Sequence, residues 1–133
     1  MSPATKRILV RLLPVLFIVA ASAAYAAFVE RADAYLLRNL APMLIVVILS
    51  LVTLILGKGH WTGAGWRLPL GIIGFALPAL GLSVYLHYGY SIDLDGMVSG
   101  SVFPQEVFRY LPVYTSVAGT IGFAIGWIVG KNV

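Results

Sequence analysis

What most limits the fold of this chain is a set of four long apolar runs, about 8–28, 40–56, 68–88 and 113–129, whose central parts hold no Asp, Glu, Lys or Arg. An α-helix rises 1.5 Å per residue, so Ile8–Phe28 reaches about 31 Å, the thickness of a bilayer's hydrocarbon core. There the backbone amides and carbonyls need partners within the chain, and a helix supplies them locally. The expectation is an all-α polytopic membrane protein, with four transmembrane helices in one small bundle and a single transmembrane domain over 1–133.

Composition agrees with that reading. The chain is 60% hydrophobic and 11% charged, where a soluble domain is nearer a quarter charged. It has no cysteine, which removes disulfides, thiolate chemistry and Cys-ligated metal. The net charge of +4 would suit nucleic acid if its cations were clustered, but they sit at the edges of apolar runs. In that position they fix topology rather than bind a polyanion.

The cations also give the threading. With the N-terminus inside, Lys6, Arg7, Arg11, Lys58, Arg67 and Lys131 fall on the cytoplasmic side with no acid among them. The external segments then hold Arg31, Arg38, Arg109 and all five acids. This is a positive-inside bias, and it places both termini in the cytoplasm of what reads as a bacterial inner-membrane protein. A rival reading exists for the first run, since its basic start and Ala24-Tyr25-Ala26 also describe a signal peptide with its cleavage site. The length of the apolar stretch favours a retained helix, and losing it would leave the orientation of the other three unchanged. Pro14 is expected near the start of this helix, where a missing amide is tolerated.

Small residues mark the faces that pack. In the last run Thr115, Gly119, Gly122, Gly126 and Gly130 recur in steps of four and three, which keeps them within roughly 80° on one helical stripe. In the third run Gly71, Gly74, Pro78 and Gly81 share a face. Such stripes let helix backbones come close in a medium that offers little hydrophobic drive for association. The third and fourth helices are therefore the expected central pair. Ala20, Ala23, Ala24 and Ala27 give the first helix a small-residue face as well, and Ser50, Thr53 and Gly57 mark the expected contact side of the second.

Two connections carry polar residues. Residues 57–67, with Gly57, Lys58, Gly59, His60, Trp61, Trp66 and Arg67, suit the headgroup layer, where Lys58 and Arg67 are possible lipid headgroup contacts. The loop lacks the G-x-x-x-x-G-K-[ST] pattern of a phosphate-binding loop. The external loop, about 91–109, holds Asp93, Asp95, Glu106 and Arg109, a possible docking or cation loop. Asp93-x-Asp95-Gly96 resembles the start of a calcium loop, but Pro104 stands where the twelfth-position Glu would be, and a tight Asp-Gly turn explains it more simply. Pro104 is placed to open a short interfacial helix with Phe103, Val107 and Phe108 facing lipid or protein, and Pro112 suits the first turn of the last helix.

No catalytic, cofactor-binding or metal-binding set emerges. His87 is the one titratable group well within an apolar run; no carboxylate or second His stands three or four residues on, so it reads as an interfacial histidine among tyrosines. The serines lack a nucleophile elbow. The small multidrug transporters have this length and four helices, but they carry a glutamate well inside the first helix. Here Glu30 stands only at the exit, which counts against membership. The expected function is an accessory or scaffolding subunit of a larger membrane complex, not an enzyme, with another membrane protein subunit and membrane lipids as partners. The alternative is a homo-oligomeric channel or small transporter, with Thr115, Ser116 and Thr120 lining a pore between copies.

Overall fold

The computed structural model describes residues 1–30, 36–61, 69–96, 98–100, 102 and 106–132, with side chains undescribed at 95, 106, 107 and 130–132. Within these the chain is all-helical: α1 (Pro3–Glu30), a short α2 (Leu36–Asn39), α3 (Ala41–Leu56), α4 (Leu70–Ser91), a short α5 (Glu106–Arg109) and α6 (Leu111–Asn132), with one 3-10 turn at Leu94–Gly96. Among the described residues four stretches are long and apolar enough to cross a membrane: Pro3–Glu30, Leu36–Leu56, Leu70–Ser91 and Leu111–Val129. The first and last extend past the apolar runs because polar ends satisfy the same backbone ladder.

Prolines explain several boundaries. Pro42 lies in the first turn of α3 and Pro112 in the first turn of α6, where the missing N–H has no intrahelical partner to lose. Pro14 is a correction to the sequence reading. Because α1 begins at Pro3, Pro14 lies well inside it and leaves the carbonyl of Val10 without its ladder donor.

The helices run up, down, up and down. Arg7 at the start of α1 reaches Lys58 just beyond α3, and Gly126 near the end of α6 lies against Leu70 at the start of α4. Both chain ends therefore sit at one end of the bundle. The core holds Ala26, Met43, Val46, Phe75, Ala79 and Leu80, with Val15, Val19, Ala23, Leu49 and Phe123 packed around them.

The tightest interface joins α4 and α6, antiparallel. A Cβ added at Gly122 would run into the backbone carbonyl of Gly74, and one at Gly74 would run into the carbonyl of Gly122. Gly126 is equally close to the carbonyl of Leu70; Gly119 lies under the Phe75 ring and Gly71 under Phe123. Dispersion falls steeply with separation, so a seam with no side chains between backbones gains the most contact per turn. Thr115 ends the row fully buried, its hydroxyl donating to the carbonyl of Leu111 at 2.9 Å. Gly81 does not belong to the seam. It is exposed and an added Cβ would meet nothing within 4 Å. The side-chain surroundings of Gly130 lie outside the described residues.

Candidate functional site: a buried Glu–His–Asn cluster

At the end of the bundle away from the chain termini, three helices bring polar side chains into the interior. Glu30 closes α1, Asn39 closes α2 and His87 lies in the last turns of α4; Asn39 and His87 are fully buried and Glu30 is 6% exposed. His87 Nε2 stands 2.6 Å from Glu30 Oε2. Asn39 Nδ2 donates to Glu30 Oε1 at 3.0 Å. His87 Nδ1 is 2.7 Å from the carbonyl oxygen of Ser83, one turn earlier.

The hydrogen bonds fix the proton count. A carbonyl only accepts, so Nδ1 carries a hydrogen. The 2.6 Å contact on the other side joins two atoms that would repel as bare acceptors, so one proton lies between Nε2 and Oε2. The pair is then either imidazolium with carboxylate or imidazole with carboxylic acid. Both are net neutral, which is how two ionisable groups can be buried without an uncompensated charge.

Phe108 of α5 covers the cluster. Its ring stacks on His87 at 4.8 Å between centroids and 25° between planes, and Tyr90 packs on it at 4.7 Å. Phe108 is only 1% exposed, so of the two surroundings expected for it, lipid or protein, it takes protein, as an internal cover. Two polar atoms of these residues and the adjoining turn, Asn39 Oδ1 and Ser83 Oγ, are buried without a hydrogen-bond partner, as is Ser50 Oγ farther along α3. The arrangement holds one shared proton between buried side chains. It presents no exposed nucleophile.

This corrects the sequence reading of two residues. His87 is not an interfacial histidine among tyrosines, and Glu30 is not merely an exit marker; the partner of His87 lies 57 positions away on another helix. Periodicity carried a signal for both. Phe75, Ala79, Ser83 and His87 form one i+4 row of α4, all buried, and Val19, Ala23, Ala26 and Glu30 form the inward row of α1.

The other expected residues are placed apart from the cluster. Asp93 Oδ1 accepts the backbone amides of Val98 at 2.7 Å and Ser99 at 2.9 Å, with Asp93 itself at φ +54° and Gly96 at +74°. It is a turn cap, and the hydrogen bonds from Ser99, then the one from Val98, lower its pKa below the ordinary 3.8. Arg109 lies over the Tyr110 ring at 5.5 Å. The side chains of Asp95 and Glu106 lie outside the described residues, and so does Arg67.

At the opposite end, Lys58 (φ +52°) and Gly59 (φ +91°) turn the chain against the start of α1. Arg7 Nη2 donates to the Lys58 carbonyl at 3.1 Å, while Arg11 Nη1 donates to the Gly59 carbonyl and to His60 Nδ1, the latter at 3.2 Å. Gly59 is required here, because its position for a Cβ is filled by the Cβ of Arg7.

No family model matches the chain, and neither a curated protein nor a solved structure resembles it significantly.

Proposed function

We propose that the chain is an integral membrane protein of a bacterial inner membrane, with both termini cytoplasmic, that serves as an accessory or scaffolding subunit of a larger membrane complex rather than as an enzyme. The observation that carries this reading is an unequal use of small residues. The glycine row of α6 is filled by α4 within the chain, while Ala20, Ala24 and Ala27 of α1 stand exposed on a helix that contributes little buried surface to the bundle. In lipid an exposed small-residue stripe gives up contact, and another helix can recover it by close approach. The partner is then a transmembrane helix of a different chain, seated on α1.

A native sequence without cysteine allows a direct test. Ala24→Cys, treated in native membranes with a short thiol-reactive photo-crosslinker, should yield one adduct with a chain of different mass. Ile48→Cys on the exposed side of α3 should not. Absence of any adduct from position 24 would remove α1 as the docking helix.

The second reading, a homo-oligomeric channel or small transporter, draws on the buried Glu30–His87 pair. Ionisable pairs within apolar bundles are what proton relays are made of. Thr115 does not support a pore between copies, since it is buried inside the chain. This reading expects a twofold-mass adduct at position 24 and proton flux in liposomes that is lost in Glu30→Gln.

A further inference from the structure

We infer that the N-terminal end of α1 holds an anionic phospholipid, its phosphate at Lys6, Arg7 and Arg11 and an acyl chain along the outer face of the same helix. The inference goes beyond the subunit reading and rests only on its membrane-spanning part.

The first observation is charge without compensation. The guanidiniums of Arg7 and Arg11 are held in place by neutral acceptors, the carbonyls of Lys58 and Gly59 and a ring nitrogen of His60. Arg7 Nε is buried, but each guanidinium has five N–H donors in a fixed fork, so donors on the Nη atoms remain for a phosphate. No acid of the sequence stands within residues 1–29 or 34–92, and the described acids Glu30 and Asp93 lie at the far end of the bundle. The first turn of α1 also has no acid, which leaves the positive end of the helix unopposed.

The second observation is shape. Lys6, Arg7 and Arg11 line one surface groove together with Pro3 and Val10. Val10 also begins a second groove, lined by Leu13, Pro14, Leu16, Phe17 and Ile18, all apolar. The two adjoin at Val10 on the same helix. A cationic end beside a shallow apolar surface along a transmembrane helix matches the two chemistries of one phospholipid in their natural order along the membrane normal. A soluble phosphate compound would use only the first part. The expected Lys58 contact is thereby refined: its carbonyl orients Arg7, and the cations of α1 meet the phosphate.

The test uses the full chain in mild detergent. Flotation with phosphatidylcholine liposomes comes first; failure to float would overturn both the membrane reading and the lipid site. Native mass spectrometry then follows with equal phosphatidylglycerol and phosphatidylcholine. The site requires phosphatidylglycerol to be retained over phosphatidylcholine by on the order of tenfold or more. Arg7→Gln/Arg11→Gln should bring the ratio near one. Because those arginines also hold the 58–60 turn, Lys6→Gln, which disturbs no hydrogen bond of the fold, supplies the independent variant and should lower the ratio by about fivefold. Glycerol phosphate at matched concentration should displace none of the lipid. Floating protein with equal retention of both lipids, a ratio unmoved by Lys6→Gln and by the double variant, or full displacement by glycerol phosphate would each overturn the proposal while leaving the membrane reading intact.

Discussion

Glu30 and His87 set the terms at the scale of single residues. Removing either leaves the other buried beside an apolar ring, and loss of Glu30 strands the Asn39 amide too. His87→Leu or Glu30→Leu alone should destabilise the bundle by about 3–5 kcal/mol, while the double variant should cost much less than the sum. Reversible unfolding in mixed detergent measures all three. The pair was hard to see in the sequence because its members lie 57 positions apart and neither has a side-chain partner within a helical turn. The inward rows of α1 and α4 end on them, but a row shows burial and not which neighbour waits there. Asp93 behaves differently, being exposed and legible as a turn residue. Its pKa is lowered, so its contribution to loop order is complete above the ordinary 3.8 and disappears only as pH falls through the lowered value. Protection of the Val98 and Ser99 amides against hydrogen exchange should persist at pH 4 in the parent and be lost there in Asp93→Ala.

Among the elements, the α4–α6 seam was legible because helical periodicity is local and a glycine ladder has few other uses in an apolar helix. Its limit was not. Gly81 lies one heptad beyond Gly74 and only about 20° off its stripe, so the pattern placed it in the seam, while the structure leaves nothing within 4 Å of an added Cβ. Gly81 faces outward while Thr115 stays buried. Gly122→Ala should therefore destabilise by about 1–3 kcal/mol or more, since the new methyl meets the Gly74 carbonyl and not a flexible side chain. Gly81→Ala should be neutral or stabilising by up to about 1 kcal/mol, through helix propensity alone. Thermal unfolding of the two variants in one detergent compares them directly, and equal loss would mean that the seam is not the close contact described. Ser50→Ala belongs with the neutral changes, because the hydroxyl it removes is buried and has no partner.

For the whole molecule, the bundle is closed at one end by a neutral polar cluster and at the other by a turn laid on two arginines, with α1 the helix least covered by the rest. On the proposed reading, the small-residue stripe left open on α1 is where a neighbouring helix completes the bundle. The most direct measurement is the intact mass of the complex purified from native membranes in mild detergent, with every component identified. The account expects a stoichiometric foreign subunit that is lost from the purified complex when Ala24 is replaced by Leu. A discrete homo-oligomer with nothing else bound, or a monomer, would contradict it.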